Sequence, residues 1–175
     1  MEFNLNVFIL SGIRFIIFLS FLFVSNLSQS QTGYPKIGAT ASITHPIITV
    51  DKNETTTNFT NYYLVGFPVA INIWNTSKMA FSFEVVPYIK SIDGSSKMSN
   101  FLFHPGVLVP LGKGFGFTGR AAFETSGRYG FTPSVFKTIK KGKDISYFIA
   151  TPVPFRFGND LPASVTLAFI VGISF

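Results

Sequence analysis

Residues 164–175 alternate with a period of two. Val165, Leu167, Phe169, Val171, Ile173 and Phe175 are all large and apolar. The residues between them, Ser164, Thr166, Ala168, Ile170, Gly172 and Ser174, are small apart from Ile170. Successive side chains of a β-strand point to opposite faces, so this segment carries one continuous greasy face and one small face. A helix would scatter both sets around its circumference. Such a strand suits hydrocarbon on one side and a crowded interior on the other.

At the other end, Arg14 precedes the apolar run 15–24 (Phe-Ile-Ile-Phe-Leu-Ser-Phe-Leu-Phe-Val). Small and polar residues follow, and Ser28-Gln29-Ser30 fits a small-x-small cleavage site before Gln31. Residues 1–30 therefore read as a secretory signal peptide. Arg14 separates the run from the apolar stretch 7–13, and the run is shorter than the roughly 20 residues of a spanning helix. Cleavage is expected rather than retention as an anchor. The remainder, 31–175, is about 145 residues, enough for one domain.

The chain has no cysteine, which excludes disulfides and thiolate metal sites. Losing Glu2 and Arg14 together leaves the net charge of +6 unchanged. No block of like charges accompanies that excess, so nucleic acid is not expected as a partner. Twenty-two phenylalanines against 13% charged residues suit a protein whose outside is not water.

Beyond the leader, short β-rich runs separated by turn residues predict an all-β chain of about eight strands. They fall near 36–50, 62–74, 79–90, 100–111, 115–126, 130–140, 146–158 and 163–175. Most are long enough to cross a bilayer at the usual tilt. Asn75-Thr76-Ser77-Lys78, Gly112-Lys113-Gly114 and Lys141-Gly142-Lys143-Asp144 predict compact turns on one rim. Segments 51–61, 91–99, 127–129 and 159–162 predict loops on the other, the first two longer and polar. The expected fold is a transmembrane antiparallel up-and-down β-barrel, its short turns facing the periplasm.

In pattern the chain resembles the small Gram-negative outer-membrane β-barrel proteins, of the kind common in Bacteroidota. The specific motif is Phe169, Val171, Ile173 and Phe175: a terminal aromatic with apolar residues at alternate positions before it. The resemblance implies that these residues are the assembly signal read by the barrel-assembly machinery, and that the mature protein resides in the outer membrane.

With Phe175 facing lipid, the alternation assigns the other strands. Phe115, Phe117, Ala121 and Phe123 face out against Thr118, Arg120, Ala122 and Glu124. Phe81, Phe83, Val85 and Ile89 oppose Ser82, Glu84, Tyr88 and Lys90; Ile149, Val153, Phe155 and Phe157 oppose Ala150 and Arg156. A mid-depth Arg or Lys on lipid would cost about 2–4 kcal/mol, so the charges belong inside. Tyr63, Trp74, Tyr88, Phe101, Phe115, Tyr147, Phe157 and Phe175 are expected in two interfacial girdles.

Glu84, His104, Arg120, Glu124 and Arg156 thus point into one lumen. An eight-stranded barrel is narrow enough for side chains to fill, so these groups should pair across it as a polar plug centred on Arg120 with Glu84 or Glu124. Eight prolines, Pro46, Pro68, Pro87, Pro105, Pro110, Pro133, Pro152 and Pro154, fall inside the predicted strands. Each deletes a ladder donor, and a closed barrel has no edge on which to place one. Pro152 and Pro154 put the register of the seventh strand in question, and the sixth alternates poorly around Lys137 and Lys140.

Motifs for chemistry are sparse. His45 and His104 are far apart and lack a neighbouring serine–carboxylate pattern, and no metal-ligand spacing exists. The glycine turns lack a strand-loop-helix setting and are not phosphate loops. Asn53, Asn58 and Asn75 each open an Asn-x-Ser/Thr sequon, read as polar loop composition. No catalytic residue, metal or cofactor is expected. The expected product is a monomeric barrel with a filled lumen and a structural or surface-binding role, its partners the outer-membrane lipids. A narrow pore or small-solute transporter is the alternative, then an outer-membrane lipid-modifying enzyme. A soluble lipocalin-like barrel would place apolar residues inward and charges outward.

Overall fold

The computed structural model describes residues 33–52 and 54–175. The predicted leader, residues 1–30, and Asn53 lie outside the described residues. Eleven strands form: β1 (Lys36–Asp51), β2 (Thr55–Thr57), β3 (Tyr63–Gly66), β4 (Val69–Trp74), β5 (Ala80–Ile92), β6 (Ser95–Gly112), β7 (Phe115–Glu124), β8 (Tyr129–Lys141), β9 (Ser146–Pro152), β10 (Phe155–Phe157) and β11 (Ser164–Ser174). Each is antiparallel to its neighbours, and β11 pairs back onto β1 over Thr40↔Ser174 through Asp51↔Ser164, which closes the sheet. β3 and β4 share one place in the ring, as do β9 and β10, so the wall is an eight-place antiparallel barrel. β2 folds back onto β1 at the rim.

The prolines explain most of the subdivisions. Pro68 lies in the break between β3 and β4, and Pro154 in that between β9 and β10. The ladder is carried past them by carbonyls, which a proline retains: Ser42 N donates to Pro68 O at 2.9 Å and Thr166 N to Pro154 O at 2.9 Å. Pro46, Pro87 and Pro110 stand beside register shifts at Pro46/Ile48, Tyr88/Ile89 and Pro110/Gly112. Bulges of this kind accommodate a residue that cannot donate. Pro105 and Pro133 stay inside β6 and β8, and nothing in the structure explains their choice.

One expectation about the connections needs correction. Segment 91–99 is not a loop: the ladder runs on through Lys90↔Lys97 to Ile92↔Ser95, closed by Asp93-Gly94. Both turn residues have positive φ (50° and 76°), the conformation of the tight turn that matches strand twist. The sixth predicted strand, 130–140, forms as β8, and its poor alternation coincides with a register shift between Thr138 and Lys140.

The distribution of side chains is inside-out. Ile71, Phe83, Phe123, Phe131, Val135, Phe169 and Val171 are 40–55% exposed on the outer face. Ser82, Glu84, His104, Thr132 and Arg156 are buried. A soluble barrel has the opposite arrangement, so the fold is the transmembrane type. Trp74, expected in a girdle, instead faces the lumen and lines one cavity, and Tyr88, assigned to the inward face as well as to a girdle, lines another. The period-two rule accounts for Trp74: Val69, Ile71 and Ile73 are the outward set of β4, which turns Ala70, Asn72 and Trp74 inward.

Candidate functional site: a polar septum across the lumen

Five neighbouring strands set the site. Glu84 of β5 lies directly opposite His104 of β6, and Arg120 of β7 opposite Thr132 of β8. Arg156 of β10 lies opposite Gly130 of β8. Cross-strand partners on one face stand about 4.5–5.5 Å apart at Cβ, so register alone brings these side chains together.

Glycine then decides how far each arginine reaches. Gly106 faces Arg120 across the β6–β7 ladder, and a Cβ there would meet the Gly119 carbonyl and the Arg120 side chain at Cγ. Without that Cβ, the Arg120 side chain crosses β6 to β5. There Nη2 donates to Ser82 Oγ at 3.0 Å, and Nη1 lies 3.6 Å from Glu84 Oε2. Arg156 likewise crosses β8, where Gly130 has no side chain, and Nε donates to Glu124 Oε1 at 2.6 Å.

The two ion pairs are linked. His104 Nδ1 is 2.9 Å from Glu84 Oε1, and His104 Nε2 is 2.9 Å from Thr132 Oγ1. Arg156 Nη1 donates to the same hydroxyl at 3.1 Å. Asn100 Nδ2 (2.6 Å) and Ser126 Oγ (2.9 Å) donate to Glu124 Oε2. The run Arg120–Glu84–His104–Thr132–Arg156–Glu124 is one continuous polar chain across the barrel, joined by hydrogen bonds except at Arg120–Glu84, which is an ion pair at 3.6 Å. Two residues further along each strand, Val86, Leu102 and Ala122 pack together with Tyr88 against them. This apolar layer lies beside the polar one, and the burial of Glu84, His104 and Arg156 strengthens the charge interactions.

Two cavities flank the septum. The lower one, about 520 Å³, opens at the rim of short turns and is walled by Trp74, Leu108, Phe136, Phe148 and Ile170. The upper one, about 350 Å³, is lined by the septum on one side and by Pro46, Pro68, Pro152 and Pro154 on the other. Both touch Glu84 and Arg120. The lumen is therefore filled at mid-depth and open above and below, which corrects the expectation of a lumen filled throughout.

All five inward residues read from the sequence, Glu84, His104, Arg120, Glu124 and Arg156, stand in this one network. Arg120 takes Glu84, and Arg156 takes Glu124. Thr132 and Asn100 were missed, although Thr132 falls on the inward parity of its strand and could have been found that way; Ser82 was placed on the inward face but not in the network. Phe169, Val171 and Phe175 are 40%, 52% and 60% exposed on the outer face with Ile173 beside them. Glu84, His104 and Thr132 line up as carboxylate, imidazole and hydroxyl, the order of a nucleophilic triad. Thr132, however, is 3% exposed, and its oxygen is also held by Arg156. Among the described residues no group of three His, Asp or Glu is placed to hold a metal ion.

No family model and no curated protein matches the chain. Among solved structures it is similar to the de novo designed protein TMB2.3, at 8% identity and TM-score 0.48, over 83% of this chain and 97% of that one. It is also similar to the outer membrane protein AlkL in lipid bilayers, at 12% identity and TM-score 0.39, over 84% and 93%.

Proposed function

We propose that this chain is a small, non-conducting barrel of the Gram-negative outer membrane, exported with a cleaved leader and inserted as a monomer by the barrel-assembly machinery. Its role is structural or binding, carried by the rim that bears β2 and the β5–β6 hairpin, which faces the cell exterior; the short turns face the periplasm. The observation that carries the reading is the exposed phenylalanine and aliphatic face outside a lumen closed by paired Glu84, His104, Arg120, Glu124 and Arg156. Pairing satisfies each charge where either alone would be costly.

Planar-bilayer recording on refolded protein tests it. The wild type should show no channel steps, and replacing both Glu84 and Arg120 with alanine should open them. Steady wild-type conductance would replace this reading with the narrow-pore alternative. That alternative draws on one observation: both cavities reach Glu84 and Arg120, so the barrier between them is a single layer. The protein is not proposed as an enzyme, because the Thr132 hydroxyl is buried and held by both His104 and Arg156. Covalent capture of Thr132 by a fluorophosphonate would reverse that.

A further inference from the structure

The lower cavity has features that closing the lumen does not require. Its roof carries two buried polar atoms with no partner, Asn72 Oδ1 and Arg120 Nε. Asn72 is 4% exposed and lines this cavity, as does Arg120. The two belong to one row, because Asn72 pairs across the ladder with Ser82, and Ser82 accepts from Arg120. Buried polar atoms are paired in the great majority of cases, and leaving one unmade is costly.

Below that roof the walls are apolar. Phe136 and Phe148 meet edge to face, their centroids 6.4 Å apart. Gly116 and Gly172 hold the space for them: a Cβ at Gly116 would meet the Phe136 ring, and one at Gly172 the Phe148 ring. Trp74, Leu108 and Ile170 complete the enclosure. A volume of about 520 Å³ is within the range of small-molecule sites.

We propose that this cavity binds a neutral amphiphile with a hydroxyl head and a hydrocarbon body. A single hydroxyl both donates and accepts, so it can serve the Asn72 acceptor and the Arg120 donor together. Both atoms are closed off from solvent as packed, and the soft terminal torsion of Asn72 lets its amide turn toward the entering group. The charge of the roof selects against ions. Glu84 already neutralises Arg120, so a carboxylate would bring a second negative charge beside Glu84, and an ammonium would offer Arg120 Nε no acceptor. The hydrocarbon body lies against Phe136, Phe148 and Trp74.

Trp74 is the only tryptophan, so its fluorescence reports this cavity directly. Refolded protein in phosphatidylcholine vesicles is titrated with 8-bromo-1-octanol, 1-bromooctane and 8-bromooctanoate, whose bromine quenches tryptophan on contact. A second protein, Trp74→Phe with Phe123→Trp, places the reporter on the outer face and corrects for partition into lipid. Bromooctanol should saturate at about tenfold lower concentration than either other probe after that correction. Asn72→Leu should remove the advantage of the alcohol and leave bromooctane unchanged. Equal quenching by all three probes, or an advantage that survives Asn72→Leu, overturns the proposal. If that variant does not refold, the three-probe comparison on the wild type decides alone. Conductance through the septum would not alter this result, so the two readings fail separately.

Discussion

Arg120 and Arg156 reach carboxylates two strands away because the strand each must cross carries glycine at the crossing point. Gly106→Ala should therefore act through Arg120: the new methyl meets the Gly119 carbonyl and pushes the side chain off Ser82 and Glu84. A lowered urea midpoint of the refolded barrel is expected, well beyond that of an alanine placed at the open Gly94 site's neighbour Ser95. Arg156→Ala removes the counter-ion of the partly buried Glu124 and leaves it only the Asn100 and Ser126 donors, at an expected cost below the roughly 3–5 kcal/mol of a fully buried pair. Adding Glu124→Leu should recover much of that loss, because removing both partners avoids the stranded charge. Equilibrium unfolding of the single and double variants measures both. Period-two alternation made the inward parity of Glu84, Arg120 and Glu124 legible in the sequence. It left the choice between Glu84 and Glu124 open, because that choice depends on side-chain paths over Gly106 and Gly130 that lie on other strands. Trp74 was misassigned for a different reason: an aromatic near a strand end suggests a girdle, and here parity overrules position.

At the scale of elements, the proline breaks gather on one side. The β3/β4 and β9/β10 joints flank the β1–β11 pair, while β5 to β8 form unbroken ladders apart from local shifts. Local opening follows the weakest hydrogen bonding. Backbone amides near Gly66, Phe67 and Val153 should exchange with deuterium faster than those of Ser82, Leu102 and Ala122, and equal protection on both sides would contradict the assignment. Turn chemistry was only partly legible. Gly112-Lys113-Gly114 was read as a compact turn, and its three residues all have positive φ. Asp93-Gly94 was overlooked because Ser91, Ser95, Ser96, Lys97 and Ser99 make the flanking segments largely polar on both faces. That composition resembles a loop, yet it is what a hairpin needs where it extends beyond the greasy band of the wall. Phe136 and Phe148 escaped notice because large inward aromatics, admitted by Gly116 and Gly172, blur the contrast between the two faces of β8 and β9.

The whole molecule separates its charge. Lys36, Lys78, Lys113, Lys137, Lys140, Lys141 and Lys143 ring the short-turn rim with one acid, Asp144. The other cations and carboxylates of the described chain cancel, so the excess of +6 belongs to that rim. Such a collar attracts anionic headgroups at about 1 kcal/mol per cation near the surface, screened within a Debye length. Insertion into vesicles should accelerate when phosphatidylglycerol is added to phosphatidylcholine, and the acceleration should vanish in 0.5 M salt, a concentration chosen to shorten a Debye length of about 10 Å at 0.1 M. Lys141→Glu with Lys143→Glu should weaken it at low salt; an unchanged rate would show that the collar does not meet the bilayer. The inside-out plan was legible from the last strand alone, whereas the cavities depend on how the sides of the ring face one another.

Closure of that ring joins β1 to β11, and Ala39 and Phe175 exchange backbone hydrogen bonds at 2.7 and 3.0 Å. The two ends of the barrel wall are thus immediate neighbours on one rim. A short peptide bridging them, with a new start cut between Asp93 and Gly94, should yield a circular permutant that rebuilds the same wall in a different chain order.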